Sequence, residues 1–292
     1  MSKDNIKTVT IEQMLEAGVH FGHQTKRKDP KMDNFVYETV EKNQIIDLYQ
    51  THEHLKKAAE YLYEVAKTGK QVIFIGTKRQ ASPIIKKYAN EAGCLYVNQR
   101  WLGGTFTNFD SVAFNLRELE RIETGLTTDA FKHYTKKERL LLARKVEKLN
   151  DTVGGLRGLK KYPGAVVLID IKREKTALRE SLALKIPVVS IVDTNSNPLG
   201  STVFIPANDD AIKSIDLLLS VLASAIKEGY ADSKDVILDK TEKVASKKVD
   251  AKPEVKKEVI SKKEVKEVTP KKEPIKKAVA KPKPVEKKKT TK

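Results

Sequence analysis

The chain alternates between short unbroken apolar runs and longer stretches whose apolar residues return every three or four positions. Val72-Ile73-Phe74-Ile75, Ala165-Val166-Val167-Leu168-Ile169 and the run from Pro187 to Val192 are of the first kind. Such continuity predicts strands of a parallel sheet covered on both faces. Leu95-Tyr96-Val97 and the segment from Thr202 to Ile205 read as shorter strands. Between them a helix runs to about Ala92, another covers Glu174 to Leu184, and a strongly apolar helix from Ile212 to Ile226 closes the series. This alternation implies right-handed crossovers with helices on both faces. The fold class is therefore α/β, a doubly wound (Rossmann/flavodoxin-like) parallel sheet. Upstream, Thr10 to Ala17 reads as a short helix and Gly18 to Lys31 as a glycine- and cation-rich loop. Phe35 to Val40 and Gln44 to Leu48 read as two strands around the turn Glu41-Lys42-Asn43, and Leu55 to Ala66 as a helix ending near Gly69.

The alternation is interrupted after Val97. The stretch YVNQRWLGGTFTNF, residues 96–109, takes the chain out of the sheet. Gly103-Gly104 breaks regular structure, and Thr105, Thr107 and Asn108 offer capping side chains for a helix. Two helical patterns follow, one marked by Val112, Leu116, Leu119 and Ile122, the other by Leu142, Val146 and Leu149. Each apolar stripe is narrow and the remainder is charged, which suits an inserted antiparallel helical hairpin, a coiled-coil arm. Such a hairpin buries little alone, so it is expected to project from the body and to be steadied by a partner, and a chain lacking residues 110–150 is expected to keep its sheet. The predicted organisation is an α/β domain from residues 1–108 and 160–230, an arm from 109–159, and a lysine-rich tail from 231–292.

Charge narrows the class of partner. Lys and Arg number 56 against 39 Asp and Glu, a net charge of +17, which favours a polyanion. The excess is uneven: residues 241–292 carry 19 Lys and 8 acidic residues, so +11 lies in the tail and +6 in residues 1–240. Residues 231–292 hold five prolines and no aromatic, glycine or arginine. Too little apolar surface is present there to offset chain entropy, so a disordered tail is expected. Cys94 is the only cysteine, which excludes an intramolecular disulfide and a cysteine-cluster zinc site. No apolar run approaches the roughly 18 residues of a membrane span, and the opening MSKDNIKTVT holds no apolar signal core. A soluble cytoplasmic protein without a membrane partner is expected.

Ligands of open α/β sheets bind outside the carboxyl ends of the strands. Those ends here supply Gly76-Thr77-Lys78-Arg79, residues 98–104, Asp170 to Arg173, Asp193 to Pro198, and Pro206 to Asp210. The first resembles half of a phosphate loop, but neither G-x-x-x-x-G-K-[ST] nor G-x-G-x-x-G is present. A cationic contact from Lys78 and Arg79 to a phosphate backbone is the better reading than a nucleotide site. Asp170, Asp193, Asp209 and Asp210 have the chemistry to hold magnesium; capping by Asn208 or Asp209 and ordinary turn chemistry at 193–198 account for them more simply. The pairs His20/His23 and His52/His54 show no further ligand set and read as packing or hydrogen-bonding residues. No G-x-S-x-G elbow is present. No metal, cofactor, small-molecule substrate or catalytic residue is expected. Lys26, Arg27, Lys28 and Lys31 form the densest cationic cluster of the body. Arg100 has a guanidinium suited to a phosphate; Trp101, the single tryptophan, either stacks on a base or packs between arm and sheet, with packing favoured.

Taken together, EAGVHFGHQTKRKDPKM, FIGTKRQA, YVNQRWLGGTFTN, HYTKKERLLL, IPVVSIVDTNSNP and IPANDDAIKSI closely resemble the family of small-subunit ribosomal protein number two in its bacterial form, in order from about residue 8 to 229. The resemblance implies a non-catalytic structural constituent of the small ribosomal subunit, acting in translation in the cytoplasm. Its implied partners are small-subunit rRNA and neighbouring small-subunit proteins. On this reading Lys26, Arg27, Lys28, Lys31, Lys78, Arg79, Arg100, Trp101 and Asn108 are the candidate RNA-binding residues. Lys28 stands where the family usually carries a tryptophan, and the lysine-rich tail lies outside the resemblance.

Overall fold

A computed structural model describes residues 7–159 and 162–247, with 129 and 234–247 described by their backbone alone. The chain opens with α1 (Ile11–Glu16), held by a reciprocal cap in which Thr10 and Gln13 satisfy each other's backbone N–H. Three strands follow, β1 (Phe21–Gln24), β2 (Val36–Val40) and β3 (Asn43–Ile46), as a small antiparallel sheet in the order β1-β3-β2. The β2–β3 hairpin turns on Glu41 and Lys42, both at positive φ. Strand β1 replaces part of the expected loop. Its four residues, FGHQ, lack the branched or alternating apolar pattern that announces a strand, and pairing with β3 decides their conformation.

α2 (Leu48–Lys67) begins seven residues earlier than its apolar pattern suggests, because Asp47 caps it through Tyr49 N. Its first turns are mostly polar, but Thr51 is fully buried and donates to Pro206 O at 2.6 Å. After α2 come β4 (Val72–Ile75), α3 (Ser82–Ala92), β5 (Leu95–Val97), α4 (Phe109–Thr127), α5 (Lys136–Val153), β6 (Ala165–Ile169), α6 (Lys175–Ala183), β7 (Val188–Val192), β8 (Val203–Pro206) and α7 (Ile212–Lys247). The five later strands form one parallel sheet in the order β5-β4-β6-β7-β8.

Strand alternation sorts the core into two layers. Val72, Phe74, Ala165, Val167, Ile169, Val189 and Ile191 pack with α2, α3 and α7, whereas Ile73, Ile75, Val166, Leu168 and Val188 pack with α6 and the α4–α5 region. The connection leaves β4 in one direction to reach β5 and in the other from β6 to β7, so right-handed crossovers place α3 and α6 on opposite faces. The switch point lies between β4 and β6.

Helices α4 and α5 are joined by residues 128–135. Thr135 and Glu138 form a reciprocal cap at the start of α5. Glu118 pairs with Arg121 at 2.8 Å and with Lys145 at 2.8 Å. Val112, Leu116, Leu119 and Val153 belong to the same apolar cluster as Ile73 and Val166. The base of this helix pair therefore covers part of the second face of the sheet, and excising residues 110–150 would remove Val112, Leu116 and Leu119 from that layer.

α7 also departs from expectation. It continues past Ile226 to Lys247, so residues 231–247 of the expected tail are helical backbone. That stretch holds four Lys and three Asp but no glycine, and no proline comes before Pro253, so nothing in it stops a packed helix from propagating. Residues 248–292, where the rest of the expected tail falls, lie outside the described residues.

Candidate functional site at the carboxyl edge of the sheet

The loops after β4, β6, β7 and β8 meet at one edge. Gly76 ends β4 where a Cβ would stand 2.6 Å from Ile85 and 3.1 Å from Ile169, so this glycine serves the close packing of α3 and β6. Thr77 N and Oγ1 both donate to Glu174, at 2.8 and 2.6 Å. Burial raises the pKa of that carboxyl, and the Thr77 bonds oppose the rise. Lys78 turns inward. Its Nζ lies 2.7 Å from Asp209 Oδ1, 2.7 Å from Asp210 Oδ1 and 3.4 Å from Asp170 Oδ2. Burial pulls the ammonium pKa down, but the aspartates more than offset this, and it ends raised. Asp170 takes part from a left-handed backbone, φ 65°, which aspartate tolerates better than most residues.

The small sheet docks on the same edge. Gly22 lies against Thr194 so closely that a Cβ would stand 2.7 Å from its methyl group. His23 N donates to Thr194 Oγ1 at 2.9 Å. The His23 ring then sits between two carboxylates, Nδ1 2.9 Å from Asp193 Oδ2 and Nε2 3.3 Å from Asp210 Oδ2. The hydrogen bond with Asp193 is the largest cause of its raised pKa. Asn208, not Asp209, makes the capping contacts before α7, its Oδ1 accepting from Asp210 N and Ala211 N.

The segment after β1 leans on this platform. Asp29 N donates to Thr194 O at 2.8 Å. Asp29 itself accepts from Lys31 N, and Met32 is fully buried with Ile171 and Val192. Lys26, Arg27, Lys28 and Lys31 are thus exposed on an anchored backbone. Lys28 pairs with Asp33 at 3.0 Å; among the described residues Lys26, Arg27 and Lys31 form no ion pair.

Of the other candidates, Arg79 and Arg100 are exposed on loops after β4 and β5. Asn108 is exposed at the start of α4, and its side chain makes no capping bond, contrary to expectation. Lys78 and Trp101 require correction as RNA contacts. The three aspartates consume Lys78. Trp101 is 8 % exposed, packs edge-on to Phe106 at 4.9 Å, and gives its indole N–H to Glu180. Sequence reasoning missed Glu180. Its Oε1 accepts from Trp101 Nε1 and Gly104 N, and its Oε2 from Phe106 N and Thr107 N. The signal was present: Glu180 is an acid on the buried stripe of α6, between Ala177 and Ser181.

This edge offers cations outward and an acidic knot inward. The family model described as Ribosomal protein S2 matches residues 14–229. The chain belongs to the ribosomal protein S2 family. Within that family it is 45 % identical over 221 residues to small ribosomal subunit protein uS2c of Cyanophora paradoxa, covering 76 % of this chain and 95 % of that one. It is 44 % identical to uS2 of Gloeobacter violaceus over 224 residues, 77 % of this chain and 82 % of that protein. It is 42 % identical to uS2 of Helicobacter hepaticus over 247 residues, 85 % of this chain and 94 % of that protein. The S2 match takes in both sheets, the α4–α5 pair and every carboxyl-edge residue described above.

Proposed function

We propose that this protein is a structural, non-catalytic component of the small ribosomal subunit, working in translation by binding rRNA and neighbouring small-subunit proteins. The observation that carries the reading is the 42–45 % identity over at least three-quarters of the chain to proteins named small ribosomal subunit protein. The geometry supports it. Lys26, Arg27 and Lys31 are exposed cations that form no ion pair among the described residues, on a backbone tied down by Asp29 and Met32. Lys28, Arg79, Arg100 and Asn108 extend the RNA face along the same edge and onto the start of α4. Phosphate contacts supply most of the affinity of such a surface, and its rigidity fixes where the RNA lies. Lys78 and Trp101 stand beneath the face as supports.

In the same reading α4 and α5 form an antiparallel arm whose base is part of the core and whose far end meets another protein. Leu140 and Leu141 are more than half exposed toward that end, and Phe114 is so nearer the base, the kind of apolar surface that marks a protein contact. The compartment is the ribosome-bearing cytoplasm. Among the described residues no helix is long and apolar enough to cross a membrane.

Sedimentation of a cell extract through a sucrose gradient tests the assignment. The protein is expected to co-migrate with small subunits at moderate salt. Its recovery at the top of the gradient, with small subunits lacking it, would refute the reading.

A further inference from the structure

The opposite, amino edge of the large sheet takes no part in the RNA face, and it is open. The segments leading into β4, β6 and β7 border a cleft of about 1010 Å³ there, a volume suited to a bound segment or ligand. Hydrogen bonds between those segments fix its walls. Gly164 N donates to Gln71 O at 2.8 Å, Val166 N to Pro187 O at 2.9 Å, and Gln71 Nε2 to Gly158 O at 3.1 Å. The Lys70 carbonyl accepts from the Tyr230 hydroxyl at 3.2 Å. A cleft held in this way pays little ordering entropy on binding.

The lining is apolar with cations beside it. Pro163 and Ile186 are buried, and Leu184 and Pro187 are half-buried. Tyr162 is 56 % exposed, its ring 6.3 Å from that of Phe109 at the start of α4. Lys70 and Lys185 are both exposed, and no acidic residue lines the cleft. Among the described residues neither lysine forms an ion pair. A Cβ on Gly164 would stand 2.5 Å from Lys70 Cβ and 3.0 Å from its Cδ, so this glycine leaves room for the lysine stem along the wall. The complement of such a surface is an apolar side chain flanked by carboxylates. Nucleic-acid surfaces are more polar and more densely cationic than this one, whereas an exposed aromatic set among apolar residues marks a protein contact. The five residues of β6 put about 16 Å between this cleft and the carboxyl edge, so both edges can be occupied together.

We propose that the amino-edge cleft receives an acidic segment of a neighbouring small-subunit protein, which lays an apolar side chain against Tyr162 and pairs flanking carboxylates with Lys70 and Lys185. The partner class rests on the reading of this chain as a small-subunit component. The two edges of the sheet then have separate tasks: RNA at the carboxyl ends of the strands, protein at their amino ends.

The test is photocrosslinking in purified small subunits that carry the full chain with Tyr162→p-benzoylphenylalanine, the adducts being mapped by mass spectrometry. The expected adduct joins position 162 to a protein peptide with Asp or Glu within two residues of the attachment point. Adding Lys70→Glu and Lys185→Glu should lower its yield by about tenfold or more, since a like charge then faces the carboxylates, while Lys70→Arg with Lys185→Arg should keep the yield. The melting temperature of the free chain should not change with either pair, both lysines being exposed. Should Lys185→Glu, at a positive φ, fail to fold, Lys70→Glu decides alone. Adducts to rRNA only, adducts to a peptide without acidic residues, no adduct in subunits that contain the chain, or a yield indifferent to Lys70→Glu would each overturn the proposal and leave the RNA reading standing. Subunits that never take up the wild-type chain would instead remove the small-subunit reading, and this partner with it.

Discussion

Single side chains decide how the 98–108 segment and the interior are held. Glu180 closes four donors, three of them backbone N–H groups of residues 104–107. Glu180→Ala strands these donors away from water and is expected to cost about 3 kcal/mol or more in urea unfolding, with a change in Trp101 fluorescence. A loss below about 0.5 kcal/mol would show that the loop is held otherwise. Cys94 is buried, and burial pushes its thiol up to about 12. A maleimide at pH 8 should leave the native protein unlabelled and label it fully in urea. At this scale the sequence was partly legible. The packing role of Trp101 followed from its residue type, whereas its partner, some 80 positions away, could not be read from local pattern. Lys78 looked like a phosphate ligand because its spacing after β4 is visible, while the aspartates that capture it arrive from β6 and β8.

Among the elements, α4 and α5 carry the clearest contrasts. Leu119 is fully buried, whereas Phe114 is 62 % exposed. Leu119→Ala should destabilise by about 2–5 kcal/mol, and Phe114→Ala by less than about 0.5 kcal/mol, both read by chemical denaturation. Arg121 and Lys145 hold the Glu118 carboxyl at about 2, below its ordinary range. A depressed folded-state pKa gives stability that is present above the unfolded value of about 4.3 and is lost as pH falls toward 2. Glu118→Gln should therefore melt about 1–3 °C below wild type at pH 6, the pair being largely solvated, and the gap should close by pH 2. A gap that persists at pH 2 would place its cause in packing. Helix stripes and buried strands were readable because three- and four-residue spacing and unbroken apolar runs are local. β1 was not, since FGHQ becomes a strand only by pairing with β3. The early start of α2 rests on Thr51 reaching Pro206, and the late end of α7 on a charged sequence that nothing interrupts.

For the molecule as a whole, a two-layered α/β body presents cations along the edge where the strands end, and the acidic knot beneath stiffens that edge. The parallel sheet with helices on both faces was legible from alternation; the strand order and the convergence of Lys78, Asp170, Asp193, Asp209 and Asp210 required the fold. Replacing Lys26, Arg27 and Lys31 together by Gln should reduce the log–log salt slope of rRNA binding by roughly two to three units, given about 0.7–0.9 per phosphate contact. An unchanged slope would remove that segment from the interface. The most direct measurement is ultraviolet crosslinking of assembled small subunits, with the crosslinked peptides mapped by mass spectrometry. The account predicts rRNA adducts on peptides containing Lys26 to Lys31, Arg79 and Arg100. Assembled subunits in which those peptides carry no RNA, while adducts gather on the opposite edge of the sheet, would contradict it.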